Sequence, residues 1–215
     1  MARFGIIAEG ITDQVVIENI LMGYFDTSDL DIIDLQPKRN KDASSFGGWE
    51  QVLRYCQEED WEETFQLVDY VIIHIDTDVC EHPNFNIPKY EAGRELSVKE
   101  LRDRTIQKLQ TLIGETFYSQ FSEQFFFAIA IHSIECWLLP LYCSETKQAE
   151  QIKNCEKRLK RALTGELAKF TKTYDDYDRL SENYYLNPKK FPQYYPKNPS
   201  FQLFIEDIKT RNITI

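Results

Sequence analysis

The sequence lacks any long apolar run. None reaches the ~18 residues that a membrane span needs, so no membrane association is expected. It also lacks an N-terminal charged region followed by an apolar segment and opens directly on a strand-like stretch, the pattern expected of a cytoplasmic protein. Cysteine is sparse and unpatterned. Cys56, Cys80, Cys136, Cys143 and Cys155 are odd in number and contain no Cys-x-x-Cys pair. That argues against a disulfide framework or a thiolate zinc site and for buried, incidental thiols. No Gly-x-x-x-x-Gly-Lys-Ser/Thr loop occurs, which leaves ATP hydrolysis by this chain unsupported. An excess of basic charge is absent too. The 35 acidic against 25 basic residues give a net charge of −10. This argues against broad electrostatic attraction to nucleic acid but leaves room for a local basic groove.

What is present suffices for a core. The chain has 215 residues, 42% of them hydrophobic, with 14 Phe, 12 Tyr and 3 Trp. That fits one domain with an extension and makes disorder an unlikely state for most of the chain. The first ~115 residues alternate strand and helix signals, the pattern of a βαβ architecture. A strand over Phe4 to Ala8 precedes a helix that Thr12 or Asp13 can cap and that Gly23 can end. A short strand follows from Leu30 to Leu35, then a polar, mobile loop from Lys38 to Gly48. Helices are expected at Trp49 to Gln57 and around Trp61 to Leu67. Tyr70 to Ile75 and Phe125 to Ile131 are continuous apolar runs of the kind that fill sheets buried on both faces. Between them lie a Pro- and Gly-containing insertion, Val79 to Leu96, and a helix opened by Ser97 with Glu100 at the capping-box position. Ile134 to Leu139 starts another helix, curtailed by Pro140.

The chemistry lies where the three apolar strands end. The first runs into Glu9-Gly10-Ile11-Thr12-Asp13, the second into Asp76-Thr77-Asp78, the third into His132-Ser133-Ile134-Glu135. In an open α/β sheet, ligands bind at the carboxyl ends of the strands. Three acidic ends meeting at one edge repel one another unless water or cations neutralise them, and hard oxygen ligands suit Mg²⁺ or Mn²⁺. Each motif alone also has a bland reading: turn-capping Asp side chains, or acidic first turns near a helix dipole. His74 and His132 read as hydrogen-bonded core residues rather than ligands.

Taken in order, strand-Glu9-Gly-x-Thr-Asp13-helix, strand-Asp76-x-Asp78 and strand-Ser133-x-Glu135 resemble a Toprim domain. The version most similar is that of OLD-family nucleases and small Toprim-like proteins of bacterial defence systems, whose Glu-x-Trp-Leu run is similar to Glu135-Cys-Trp-Leu138. The resemblance covers roughly residues 3 to 140. It implies an α/β fold with a Toprim-like (Rossmann-like) parallel sheet flanked by helices. Residues 1–145 would form the catalytic domain and residues 146–215 a helical, aromatic-rich C-terminal extension packed on it. It also implies Mg²⁺ or Mn²⁺ held by Glu9, Asp13, Asp76, Asp78, Ser133 and Glu135, with Glu9, Asp76 and Glu135 catalytic. The activity implied is phosphodiester cleavage of nucleic acid, DNA being favoured over RNA. OLD-family nucleases carry an ATPase domain, so any ATPase would here be a separate partner.

Further along, Tyr184 to Lys197 interleaves aromatics with Lys189, Lys190 and Lys197. Such a segment can stack bases and neutralise phosphates, or pack its rings on the domain. The run Lys157-Arg158-Leu159-Lys160-Arg161 reads as a solvated helix face that can also contact phosphates. Two other functions stay open. One is a non-catalytic Toprim-like module that binds a partner such as an ATPase. The other is a haloacid-dehalogenase-like phosphotransferase, whose Asp-x-Asp would follow the first strand, where this chain has Glu9-Gly10.

Overall fold

The β-branched and aromatic strands dictate a sheet buried on both faces, and the computed structural model, described over residues 2–38, 47–213 and 215, has one. Strands β1 (Arg3–Ile7), β2 (Asp31–Gln36), β3 (Tyr70–Asp76) and a later strand, Phe125–Ala130, form a four-stranded sheet. A two-residue pair, β4 (Tyr90–Glu91) and β5 (Arg94–Glu95), lies between them in sequence, so the last large-sheet strand is β6. The order is β2-β1-β3-β6 and every pairing in this sheet is parallel. Parallel pairing puts all four carboxyl ends on one edge, as the acidic strand ends require.

Alternation sorts the side chains onto two faces. Ile7, Val71, Ile73, Ile75, Phe125 and Phe127 pack with the helices Trp49–Glu58 (α2) and Val98–Ile113 (α4) through Val52, Leu101 and Leu109. Phe4, Ile6, Ile72, Phe126 and Ala128 face the other way, onto α1 (Ile11–Phe25) and α6 (Glu135–Tyr142). Two short helices, α3 (Trp61–Leu67) and α5 (Glu115–Phe121), complete the α/β part. His74 and Asp76 follow Ile72 at spacing two, so they share its face; the His74 ring lies 6.2 Å from that of Trp137.

Residues after 145 add α7 (Thr146–Ala149), α8 (Cys155–Ala162), α9 (Tyr174–Ser181), α10 (Asn183–Leu186), α11 (Phe191–Tyr194) and α12 (Pro199–Thr210). Their apolar residues Tyr177, Tyr184, Phe201 and Phe204 belong to the same cluster as Phe4, Ile72 and Phe126, so this segment covers one face of the sheet. Of the aromatic-lysine stretch, Tyr184, Phe191 and Tyr195 are buried, and the Tyr184 hydroxyl donates to the Trp137 carbonyl. The rings pack, as the second of the two readings had it.

Several local expectations need correction. The N-cap of α1 is Gly10, not Thr12 or Asp13. Gly10 turns the chain directly after β1, and its carbonyl accepts from the N–H groups of Asp13 and Gln14 at 3.2 and 3.1 Å. Gly23 does not end α1, which runs on to Phe25 and closes at Asp26 in the left-handed region (φ 53°). Gly23 instead lets α10 approach: a Cβ there would lie 2.4 Å from the Tyr184 carbonyl oxygen. The helix that carries the Lys157 to Arg161 run starts only at Cys155, after Asn154 at φ 56°. Cys136 and Cys155 form a disulfide, with Cα atoms 4.9 Å apart, because α6 and α8 pack side by side. Cys56, Cys80 and Cys143 are buried free thiols. The expected loop from Lys38 to Gly48 lies, for residues 39–46, outside the described residues. Among the described residues, no helix is long and apolar enough to cross a membrane.

Candidate metal centre

Each acidic residue is delivered by a strand end. Glu9 follows β1, Asp76 is the last residue of β3, and Glu135 is the first residue of α6, just beyond β6. Asp13 comes from the first turn of α1, where Gly10 leaves the entrance clear. The Glu9 carboxylate accepts the backbone N–H of Asp76 at 2.8 Å, bridging two neighbouring strand ends. Its own carbonyl accepts the Gly48 N–H at 2.6 Å, and a Cβ at Gly47 would lie 2.2 Å from that oxygen. A glycine is needed there because the returning chain presses on the Glu9 backbone.

Burial among like charges sets the protonation. Burial, then the charge of Asp76, pushes the Glu9 carboxyl up to about 8. Burial pushes Asp13 up to about 7, against the pull of His74 and with the push of Glu9 and Glu135. Asp76 is raised well above the ordinary range by burial and by Asp13, Glu135 and Asp78. Glu135 goes the other way. Burial would raise it, but hydrogen bonds from Ser133 and Tyr177 and the charge of Lys172 outweigh burial and hold it below the usual range. The Tyr177 hydroxyl donates to Glu135 Oε1 at 2.5 Å, and Lys172 Nζ lies 3.6 Å from the same oxygen.

One oxygen stands out. Asp76 Oδ1 is buried and, among the described residues, has no hydrogen-bond partner. His74 Nε2 lies 3.4 Å from it, outside hydrogen-bond geometry, and both nitrogens of this fully buried ring are likewise unpartnered. Burial lowers the His74 pKa, favouring the neutral ring. A buried carboxyl oxygen without a donor is costly, and a hard cation beside it would both satisfy it and favour its ionised form. The donor set therefore fits Mg²⁺ or Mn²⁺ in chemistry. It does not yet fit in placement: among the described residues, no three His, Cys, Asp or Glu side chains are grouped so as to hold one ion. The reason is visible in the bonds, since Glu9 is turned to the Asp76 amide and Glu135 to Tyr177. Asp78 is exposed at the mouth of the site, and Ser133 is half-buried beside Glu135.

The acids open onto a cleft of about 620 Å³ whose floor includes Asp76, Asp78, Ser133 and Glu135. Its far wall is basic: Lys157, Lys160 and Arg161 of α8, with Lys172. Lys172 also lies 3.8 Å from Glu156, standing between acid floor and basic wall. The Cys136–Cys155 bond ties the first residue of α8 to the residue after Glu135, fixing the wall relative to the floor. Lys189, Lys190 and Lys197 do not line this cleft; Lys197 lies over the Tyr194 ring. Sequence reasoning thus missed Lys172 and Tyr177, which no local signal marks. The Lys157 to Arg161 run, a solvated helix face that can also contact phosphates on sequence grounds, supplies the wall. No family model, curated protein or solved structure matches the chain.

Proposed function

We propose that this chain is a divalent-metal-dependent phosphodiesterase acting on nucleic acid, with DNA favoured over RNA, built on a Toprim-like sheet. The observation that carries the reading is the buried Asp76 Oδ1, without a hydrogen-bond partner among the described residues, on a residue that lines a cation-walled cleft where three acidic strand ends meet. Asp76 and Glu135 would hold the ion, with Asp13, Asp78, Ser133 and Glu9 completing its surroundings. Bound Mg²⁺ or Mn²⁺ would polarise the scissile phosphate and stabilise charge on the attacking and leaving oxygens. The chain's own groups do the rest. Glu9, its pKa pushed up to about 8, is placed to hold or release a proton near neutrality. Lys172, held protonated by Glu135 and Glu156 against the effect of burial, neutralises phosphate charge. Lys157, Lys160 and Arg161 receive the backbone phosphates on either side.

The test is Mn²⁺ binding by calorimetry for the wild type and Asp76→Asn/Asp78→Asn, followed by a cleavage screen on single- and double-stranded DNA and RNA. Saturable binding lost in the double variant, with metal-dependent cleavage, supports the reading. Equal behaviour of both proteins with no cleavage sinks it.

A second reading has one observation in its favour: Glu9 and Glu135 already have protein donors, so the acids stand together without an ion. On that reading the chain is a non-catalytic module that binds a partner, such as a separate ATPase. A stoichiometric complex indifferent to Asp76→Ala would favour it.

A further inference from the structure

Beside the acidic cleft lies a second, smaller cavity of about 140 Å³. Leu96, Val98, Leu101, Ile131 and Ile152 give it an apolar lining, and Thr77, Lys89 and the ion-paired Glu95 and Lys153 add polar groups. A cavity of ~150 Å³ lined by such side chains takes up one benzene ring, so this one has room for a single flat ring and not for a base pair. His132 lines both cavities and is the partition between them. The partition is held hard. The His132 N–H donates to Thr77 Oγ1 at 2.8 Å, and its carbonyl accepts from the N–H groups of Thr77 at 3.1 Å and Asp78 at 2.9 Å. Its backbone sits at φ 75°, a conformation a non-glycine residue keeps only where its surroundings over-determine it. Its Nδ1 is buried without a partner.

The rim comes from the insertion between β3 and α4, which the metal centre does not use. Tyr90 stands there 56% exposed, with no aromatic ring among the described residues packed on it. Lys89 reaches from the same rim to the Asp78 carbonyl at 2.6 Å, linking this cavity to the edge of the acidic site. A ring-sized apolar slot with a free aromatic lip, one residue away from a phosphate-binding cleft, matches a ligand whose flat heterocycle and phosphate are joined by a sugar.

We propose that this cavity binds one nucleobase of the strand whose phosphodiester lies in the acidic cleft, the base stacking on Tyr90 and entering past His132. The proposal rests on the phosphodiesterase reading and narrows its substrate. A base paired within a duplex cannot enter, so the substrate is a single strand or a strand with an unpaired, extruded nucleotide.

The experiment measures fluorescence anisotropy of a labelled oligothymidylate, its duplex with oligoadenylate, and an oligomer of equal length made wholly of abasic residues. Ca²⁺ replaces Mg²⁺ so that binding is read without cleavage. The proteins are the wild type, Tyr90→Ala at the exposed lip, and Val98→Trp to fill the cavity. The single strand is expected to bind more tightly than the duplex. Tyr90→Ala is expected to weaken single-strand binding about 5- to 150-fold, the range for losing one base-aromatic stack, and Val98→Trp to weaken it likewise. Neither variant should change binding of the abasic oligomer. The proposal is overturned if both variants bind the single strand like the wild type. It is equally overturned if the loss persists on the abasic oligomer, if the duplex binds as tightly as the single strand, or if the wild type binds no strand at all. Mn²⁺ calorimetry on the same proteins keeps the two readings apart. An empty base cavity leaves Mn²⁺ binding intact, whereas failure of the metal centre removes Mn²⁺ binding from the wild type itself.

Discussion

The carboxylate of Glu9 accepts the backbone N–H of Asp76 at 2.8 Å, so the end of β1 is clasped to the end of β3 even though the Asp76 carboxylate repels that of Glu9. The clasp keeps the Glu9 carboxylate at the end of β3, and neutralising the acids there falls to protons or a cation. Protons and metal therefore compete for one site.

That competition has a sign. The Glu9 carboxyl is raised from 4.5 to about 8, and Asp13 from 3.8 to about 7. Between those limits the folded, metal-free chain keeps protons that the unfolded chain has released, so its stability falls as pH rises through this window. The metal-free protein is expected to lose stability steadily between pH 5 and pH 8, read as a falling urea midpoint. Glu9→Gln should flatten the slope. With saturating Mn²⁺ the loss should shrink, and calorimetry in buffers of different ionisation enthalpy should detect protons released on binding. Metal-free stability that stays level or rises over this range would contradict the assigned carboxyl environment.

Tyr177 and Glu135 meet across a long stretch of sequence in a buried bond of 2.5 Å. Tyr177→Phe removes this donor and leaves the buried Glu135 carboxylate with Ser133 and Lys172. A loss of about 1.5–3 kcal/mol is expected, seen as a lower urea midpoint at unchanged slope. Glu135→Gln keeps an acceptor for the hydroxyl and should cost less. Equal costs for the two variants would mean that the bond contributes little.

The fold was largely legible because its signals are local and repetitive. Runs such as Val71 to Ile75 can only be buried strands, and Ser97 with Glu100 does form the capping box its spacing suggests. The acidic strand ends were legible for the same reason, since parallel pairing converts three separate motifs into one edge. What escaped depends on packing between distant segments. Tyr177 reaches Glu135 only because α9 lies on α1 and α6. Gly23 resembles a helix terminator in sequence and is a contact point for α10 in space. The Lys157 to Arg161 run looks like any solvated helix until α8 is seen facing Asp76 across a cleft.

The Cys136–Cys155 bond, spanning 19 residues, makes a prediction that spacing alone opposed. Closing a loop of that size stabilises by about 3 kcal/mol in the chain-entropy picture, or roughly 6–12 °C in Tm for a chain of this length. Dithiothreitol should lower the Tm of the wild type and leave Cys136→Ser/Cys155→Ser unchanged. Thiol titration of the unreduced, unfolded protein should find the three free cysteines, Cys56, Cys80 and Cys143. Finding all five cysteines reactive would remove the tie between α6 and α8.

The basic wall makes the prediction that bears most directly on function, because a chain of net charge −10 should otherwise shun nucleic acid. Counterion release makes affinity fall with salt, with a logarithmic slope of about −0.7 per neutralised phosphate for a single strand. If Lys157, Lys160 and Arg161 each meet one phosphate, Lys157→Gln/Lys160→Gln/Arg161→Gln should make the slope shallower by about 2. Affinity should fall most at low salt, and Mn²⁺ binding at the acids should survive. Lys189→Gln/Lys190→Gln/Lys197→Gln, away from the cleft, should leave the slope as it was. The comparison decides between the α8 wall and the surface that the sequence put forward for nucleic acid, Lys189, Lys190 and Lys197. A slope that responds to the second triple variant and not to the first would move the strand off α8 and onto the aromatic-lysine segment. The acidic floor would then face a wall with no part in binding.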